Sequence, residues 1–316
     1  MCEDQNHTAM MADTGCMNKT PLALRPYRWL RRIFITGIFL MATGVTLAAF
    51  GQTIVEKILF AGAESSRRDA DRPTELRCEE IVITTEDGAR IVGWYFPAPL
   101  TTPTGDSNNI SDGVKKIPPI LFSHGNGGNV RLWSRVATEL QSRYPVAVLI
   151  YDYRGYGYSE GTPTITGILS DARAARDWLC RRESLRPDDL IYYGRSLGGG
   201  VAVRLASETG AAGLVVESSF TSIAAMVRRL APLLPFPARW LVRTDLDSIE
   251  NIRHCNCPFL QSHGDADSLI PYAQAEELFA VAPGARKWFV TIPGGGHNTS
   301  QTEEFYNRLG ELLKSI

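Results

Sequence analysis

Hydrophobic and polar positions divide the chain into one long apolar run near the N-terminus and a longer region of short alternating segments. Residues 33–55 carry no charge. As a helix, at about 1.5 Å per residue, they would span roughly 35 Å, more than a bilayer core of about 30 Å. Aromatic residues and arginines typical of a headgroup boundary precede the run: Tyr27, Trp29, Arg25, Arg28, Arg31 and Arg32. We therefore expect a transmembrane signal anchor after a disordered basic tail over residues 1–32.

Two other interpretations of the apolar run stay open at this stage. One is a cleaved signal peptide, because Ala61-Gly62-Ala63 resembles a cleavage site, although the run begins only at residue 33 and is long for that purpose. The other is a buried core helix, although few such helices are this long and free of charge. If the run is an anchor, the arginines favour a cytoplasmic N-terminus, so the domain that follows would be lumenal or extracytoplasmic.

After a charged linker over residues 56–75, short apolar runs alternate with helical patterns as far as the C-terminus. The runs at 78–84 and 90–96 flank Glu86-Asp87-Gly88, which indicates a hairpin. Further strands are predicted at 117–123, 146–151, 190–193, 213–217 and 288–292, with another ending near 262, and helices at 129–143, 164–182 and 201–208. This alternation favours a mostly parallel sheet with helices on both faces, forming one α/β domain over residues 76–316.

Composition excludes some classes of protein. A net charge of −1 gives no argument for a nucleic-acid partner. Six cysteines in 316 residues do not form a disulfide scaffold, and Cys255-x-Cys257 lacks a second pair at zinc-ligand spacing, so no metal site is predicted. A disulfide among Cys78, Cys180, Cys255 and Cys257 stays open if the domain lies in an oxidising compartment.

The candidate chemistry centres on Gly194-Arg195-Ser196-Leu197-Gly198, between a predicted strand and a predicted helix. A turn that leads directly from strand to helix crowds its central residue, so the neighbours of that residue must lack Cβ atoms. Such a turn presents the Ser196 hydroxyl at a helix N-terminus, where free N–H groups favour developing negative charge. Ser196 is therefore the candidate nucleophile.

An acyl-transfer serine also needs a base, an orienting acid and an oxyanion hole. Acid and then base follow the nucleophile in one recurrent chain order, and His297 is the one histidine of five that follows both Ser196 and the acid candidates. It lies in a glycine-rich loop directly after a predicted strand, where such sheets carry chemistry. Asp265 and Asp267 both qualify by position as the acid.

The oxyanion hole is predicted in His124-Gly125-Asn126-Gly127-Gly128-Asn129, which joins a predicted strand to a predicted helix. Such a turn can direct backbone N–H groups inward, and we propose the N–H groups of Asn126 and Leu197. A phosphate cradle is the competing interpretation. The segment lacks the Lys-Ser/Thr pair of a P-loop and the glycine spacing of a dinucleotide fingerprint.

Six segments together make the chain resemble the α/β-hydrolase superfamily, and most of all its membrane-anchored alpha/beta-hydrolase-domain serine hydrolases. They are His124 to Asn129, Asp152-Tyr153-Arg154-Gly155-Tyr156-Gly157-Tyr158-Ser159-Glu160-Gly161, Gly194 to Gly198, Asp245-Leu246-Asp247-Ser248-Ile249, His263-Gly264-x-x-Asp267-x-x-Ile270-Pro271, and Gly296-His297. The resemblance covers residues 76–316 and implies an α/β-hydrolase fold. It implies Ser196 as nucleophile, His297 as base and, from the position of the acid in the family pattern, Asp267 rather than Asp265.

One segment departs from many lipases of that superfamily, in which the insertion after the sixth strand forms a large lid. Here only residues 220–243 are available, and they are strongly apolar through Leu230, Leu233, Leu234, Phe236, Trp240 and Leu241. We expect a short cap, an acyl-chain groove or a membrane-facing patch, with ordinary core packing as the alternative.

These observations predict a membrane-anchored serine hydrolase that cleaves an ester or thioester of an acyl or other lipid-like group. The substrate would be a small molecule or an acylated protein, membrane lipid is the other expected partner, and no nucleic acid is expected. Catalysis by such a triad requires no cofactor and no metal. The alternative is a catalytically silent hydrolase fold that serves as a binding or scaffold protein, although intact candidates for every catalytic role argue against it.

Overall fold

The computed structural model describes residues 31–39, 51–53, 55–57, 59–66, 76–99, 116–230 and 244–316. Residues 31–39 are helical and belong to a unit that ends at Leu47. A second unit, Ala48 to Ile316, contains the sheet and all the candidate site residues.

Several predictions fall wholly or partly outside those ranges. They concern most of the basic tail, positions 40–50 and 54 of the apolar run, much of the linker, and positions 231–243 of the short cap. Among the helices formed by the described residues, none is long and apolar enough to cross a membrane. Cys180, Cys255 and Cys257 are free thiols.

Within the described part of the chain, eight strands form one sheet in the order β1-β2-β4-β3-β5-β6-β7-β8. They are β1 (Glu79–Thr84), β2 (Arg90–Phe96), β3 (Ile120–Ser123), β4 (Val148–Tyr151), β5 (Ile191–Arg195), β6 (Gly213–Glu217), β7 (Phe259–Gly264) and β8 (Lys287–Ile292). Strand β2 pairs antiparallel with β1 and β4, and every other pairing is parallel. The mostly parallel sheet predicted from the alternating pattern is therefore confirmed.

Alternate residues of the central strands enter two separate cores, one on each face of the sheet. The described helices that pack around the sheet include α1 (Gly62–Ser66), α2 (Val130–Arg143), α3 (Ile165–Glu183), α4 (Leu197–Thr209), α5 (Ile223–Leu230), α6 (Ser248–Ile252), α7 (Tyr272–Val281) and α8 (Glu303–Lys314). Leu121 of β3 packs in the core with α3 and α4, whereas its neighbours Ile120 and Phe122 pack in the core with α2 and α8. Because successive strand side chains point to opposite faces, both faces of the sheet are covered.

Helix α4 begins at Leu197, directly after Ser196, rather than at residue 201. Glycine is a poor helix former, so the run Gly198-Gly199-Gly200 hides this start from a sequence pattern. Close packing explains the glycines: a Cβ at Gly198 would lie 1.9 Å from the Ser123 carbonyl oxygen, and one at Gly199 would lie 2.5 Å from the Ser219 side chain. Tertiary contacts therefore outweigh the low helix propensity.

The short helix α1 lies within the segment predicted as a linker and packs against the sheet domain. Ala63 and Ser66 are buried. The Ser66 carbonyl oxygen accepts a hydrogen bond of 2.6 Å from Asn129 Nδ2, and its hydroxyl accepts one of 3.2 Å from the Gly157 N–H. Helix α1 is thereby joined to the loops that follow β3 and β4.

Candidate active site

The turn between β5 and α4 holds Ser196 in a conformation that a side chain rarely adopts, with φ 54° and ψ −116°. A Cβ at Gly194 would lie 1.9 Å from the Gly198 carbonyl oxygen, so this neighbour of the turn must be glycine. The Ser196 N–H donates to the Glu217 carbonyl oxygen at 2.9 Å, and the Ser219 hydroxyl donates to the Ser196 carbonyl oxygen at 2.8 Å. These bonds hold the strained turn in place.

Three predicted site residues meet at the carboxyl ends of β5, β7 and β8. The His297 Nε2 atom lies 3.0 Å from Ser196 Oγ, and His297 Nδ1 lies 2.8 Å from Asp267 Oδ2. An ionised carboxylate only accepts hydrogen bonds, so Nδ1 carries the imidazole proton and Nε2 is left to accept from the hydroxyl. Asp267 is buried, and its other oxygen accepts the N–H groups of Leu269 and Ile270 at 2.9 Å each.

The two aspartates that the residue pattern left open take different positions. Asp265 Oδ1 accepts the N–H of Gly294 at 2.7 Å, so Asp265 holds the start of the His297 loop, whereas Asp267 accepts the hydrogen bond that the imidazole donates. His263 Nε2 donates to the Ile270 carbonyl oxygen at 2.9 Å and lies 3.3 Å from Asp267 Oδ2. Burial lowers the pKa of His263, so this ring is neutral and leaves the Asp267 charge to His297.

The predicted oxyanion turn lies beside Ser196, since a Cβ at Gly125 would be 3.6 Å from Ser196 Cβ. Leu197 is the first residue of α4, so its N–H has no acceptor within the helix. Within the described ranges, neither this N–H nor that of Asn126 makes a backbone hydrogen bond. The Tyr156 hydroxyl donates to Asn126 Oδ1 at 2.6 Å and fixes the turn.

Residues directly after β4 form hydrogen bonds with the oxyanion turn and with the start of α2. Asp152 is fully buried, its Oδ1 atom accepts the Val130 N–H at 2.8 Å, and it lies 3.4 Å from His124 Nε2. The Tyr153 hydroxyl donates to the His124 carbonyl oxygen at 3.0 Å. Burial raises the pKa of Asp152. Sequence reasoning used this segment only as a mark of resemblance, because the contact arises when the parallel strands β3 and β4 bring two distant loops together.

Arg195 is a site residue that sequence reasoning missed. Its buried guanidinium donates to the carbonyl oxygens of His297 and Thr299, at 3.0 and 3.2 Å. It lies 3.5 Å from Glu217 Oε2 and 5.7 Å from the centroid of the Trp133 ring. A charged residue at the end of an otherwise apolar strand was the available signal, since a buried arginine must find acceptors.

A cavity of about 430 Å³ opens at Ser196 and His297. The oxyanion turn forms one wall, and the remaining lining residues besides Ser196 and His297 are apolar, basic or, for one of them, a neutral amide: Leu132, Trp133, Leu269, Arg135, Arg195 and Asn298. This volume lies within the range of small-molecule sites.

Comparison with known proteins agrees with the fold. The sequence model of the alpha/beta hydrolase fold matches residues 118–240. An uncharacterised protein of Mycobacterium tuberculosis is 36% identical over 219 residues, which cover 69% of this chain and 72% of that protein. Alpha/beta hydrolase domain-containing protein WAV2 of Arabidopsis thaliana is 28% identical over 279 residues, 83% of this chain and 85% of that protein.

Solved structures show the same architecture. The Pyrococcus furiosus esterase Pf2001 matches with a TM-score of 0.56 at 21% identity, over 76% of this chain and 92% of that one. The order of the strands, the strained turn at Ser196 and the sequence relatives all lead to one assignment. The chain belongs to the alpha/beta hydrolase superfamily.

Proposed function

We propose that this protein is a serine hydrolase that cleaves a carboxylic ester or thioester of an acyl or lipid-like substrate. The observation that carries the proposal is the continuous line from Ser196 Oγ through His297 to the buried carboxylate of Asp267, at 3.0 and 2.8 Å. Such a line lets the imidazole take a proton from the hydroxyl and return it later. Esterases among the structures of the same fold are consistent with this reaction class.

In the first half of the reaction, Ser196 Oγ attacks the substrate carbonyl carbon while its proton moves to His297 Nε2. Asp267 stabilises the imidazolium that forms, and the N–H groups of Asn126 and Leu197 donate to the oxyanion. The tetrahedral intermediate collapses, the bond from carbon to the leaving oxygen or sulfur breaks, and His297 gives the proton to the leaving group. Ser196 then carries the acyl group.

In the second half, His297 takes a proton from a water molecule, whose oxygen attacks the acyl carbon. The intermediate again uses the oxyanion hole, and its collapse breaks the bond to Ser196 Oγ, which recovers its proton from His297. The carboxylic acid leaves. The apolar wall formed by Leu132 and Leu269 supports an acyl group as the part that is bound.

A fluorophosphonate probe tests the proposal, because it phosphonylates an activated serine and not an ordinary hydroxyl. We expect labelling of the wild-type protein, none after Ser196→Ala, and a large loss after His297→Gln. Ser142→Ala removes a hydroxyl on the exposed part of α2 and serves as control. Wild-type protein that neither reacts with the probe nor hydrolyses a short p-nitrophenyl ester would support the scaffold alternative.

We also propose that the apolar run over residues 33–55 anchors the protein, with the N-terminus cytoplasmic and the hydrolase domain on the other side of the membrane. The charge-free run and the arginines before it support this proposal. Protease digestion of sealed membrane vesicles tests it: the domain should be protected until detergent is added. Ready digestion without detergent would place Ser196 in the cytosol.

Glycosylation gives a second readout of that topology in a glycosylating cell. Asn109-Ile110-Ser111 should accept a glycan that an endoglycosidase removes. Asn298-Thr299-Ser300 is also a sequon, but Asn298 lines the cavity beside His297, so we expect it to stay bare.

A further inference from the structure

The ionisable side chains that line the cavity are all basic. Apart from His297, they are the guanidinium groups of Arg135 and Arg195, and no acidic side chain lines it among the described residues. Asp267 lies behind His297 and is already bonded to it. The two permanently charged side chains of the lining, Arg135 and Arg195, are therefore both positive.

Arg135 differs in its ion pairing from Arg143, the basic residue in the last turn of α2. Arg143, two turns further along α2, binds Glu303 through both terminal nitrogens, at 2.8 and 2.7 Å, and binds Glu139 at 2.8 Å. Arg135 is exposed and has no ion-pair partner within the described residues. Glu139, one turn away on the same helix, is already paired with Arg143. The Arg135 charge thus remains available to a ligand.

The two arginines of the cavity also lie near each other. Burial and then the positive charge of Arg135 lower the pKa of Arg195. An anion that binds between two like charges offsets their mutual repulsion. A guanidinium also forms strong hydrogen bonds with carboxylate and phosphate oxygens. Arg195 already donates to the His297 loop, which leaves Arg135 as the group free to turn toward an anion.

We infer that the substrate carries an anionic group, a carboxylate or a phosphate, which Arg135 binds within the cavity that holds Ser196. The inference rests on the proposed hydrolase function and names its substrate class. It assigns Arg135 a role in specificity: the residue binds a part of the substrate away from the scissile bond. Since Arg135 is exposed, the attraction weakens as salt concentration rises.

Two matched pairs of esters test the inference and show which side of the ester bears the charge. For the acyl side, p-nitrophenyl hemisuccinate is compared with p-nitrophenyl butyrate. For the alcohol side, 4-acetoxybenzoate is compared with its methyl ester. The readout is the ratio of kcat/KM for the charged and neutral members of each pair, measured with wild type, Arg135→Gln, Arg135→Lys and Arg131→Gln.

We expect the wild-type ratio to favour the charged member in at least one pair. Arg135→Gln should lower that ratio about tenfold, as loss of one charge-assisted hydrogen bond implies. Arg135→Lys should retain most of the preference. Arg131→Gln, one turn earlier on α2 and outside the cavity lining, is the matched control and should not change the ratio.

A wild-type enzyme that hydrolyses both neutral esters but prefers neither charged ester would overturn the inference and leave the hydrolase proposal intact. An unchanged ratio in Arg135→Gln would do the same. Failure of the proposed function has a different signature, namely no hydrolysis of any of the four esters that depends on Ser196.

Discussion

The guanidinium of Arg195 donates a hydrogen bond of 3.0 Å to the backbone carbonyl oxygen of His297. The residue before the candidate nucleophile therefore holds the loop that carries the candidate base. His297 lies in a glycine-rich loop, whose backbone has much conformational freedom. A fixed hydrogen-bond partner restricts this loop and so keeps the imidazole close to the geometry in which it can react. The same arginine reaches Thr299, so it holds the loop on both sides of Asn298.

We expect Arg195→Lys to reduce kcat for a neutral p-nitrophenyl ester about tenfold, with a smaller effect on KM. A lysine ammonium cannot reach both carbonyl oxygens and Glu217 with the planar geometry of a guanidinium. Steady-state kinetics measure the change. Arg204→Lys, on the outer part of α4 where Arg204 pairs with Glu208, is the control. Equal losses in both variants would argue against a positioning role for Arg195.

The two aspartates of the β7 loop should differ widely in their effect on activity. Asp267→Asn leaves the imidazole without its carboxylate partner and should lower kcat by about 10⁴. In Asp265→Asn the side-chain carbonyl oxygen can still accept the Gly294 N–H, so we expect less than a tenfold loss. Ester hydrolysis by the two variants, with circular dichroism to check folding, decides between them. A larger loss in Asp265→Asn would reverse the assignment of the acid.

Sequence patterns predicted the sheet, the candidate nucleophile and the candidate base because these features have local signatures. The patterns left Asp265 and Asp267 open as the acid, and only the family resemblance selected Asp267. Strand β6 has the predicted bounds, Gly213 to Glu217, since a short apolar run between polar segments marks a buried parallel strand. Contacts between loops have no such signature. Tyr156 reaches Asn126, and Arg195 reaches His297, only because the sheet places the ends of separate strands side by side.

Helix α8 shows a different reason for an incomplete prediction. It begins after Thr302, whose hydroxyl accepts the Phe305 N–H at 3.3 Å, and buries Phe305, Leu309 and Leu312 against the core with α2. Its capping residue and apolar stripe are both present in the sequence, so this helix was available to prediction but was not assigned. The start of α4, in contrast, was concealed by glycines that only tertiary packing requires.

Gly62 provides a test of the contact between α1 and the oxyanion turn. A Cβ at this position would lie 2.1 Å from the Asn126 carbonyl oxygen, so Gly62→Ala must displace the turn or α1. Because the Asn126 N–H belongs to the proposed oxyanion hole, we expect kcat to fall about tenfold or more. The measurement is kcat for a neutral ester, with the melting temperature as a check on folding.

Gly310→Ala is the matched control for adding a methyl group. Its nearest neighbour would be the Tyr144 hydroxyl at 3.5 Å, an ordinary contact, and the position lies inside α8. We expect unchanged kcat and a gain of roughly 0.5–1 kcal/mol in the free energy of unfolding, since alanine is the better helix former. Wild-type kcat in Gly62→Ala would mean that α1 can move away without disturbing the turn.

His263 should make the free energy of unfolding depend on pH. Burial lowers its pKa below the ordinary value of 6.5. As pH falls through that value, the unfolded chain takes up a proton that the native imidazole refuses, so the unfolded state binds more protons and stability declines. The decline begins near pH 6.5 and continues down to the native pKa, at no more than about 1.4 kcal/mol per pH unit for one group.

His263→Gln should remove that part of the pH dependence. Urea unfolding of both proteins between about pH 7.5 and pH 5.5 measures it. Glutamine can still donate to the Ile270 carbonyl oxygen but does not titrate. At the upper end of this pH range we expect wild type to have the larger free energy of unfolding. The difference in free energy between the two proteins should shrink as the pH falls. His254→Gln, which replaces an exposed histidine, is the control for the substitution itself. Parallel curves for His263→Gln as well would show that this imidazole takes up a proton as readily in the native protein as in the unfolded chain.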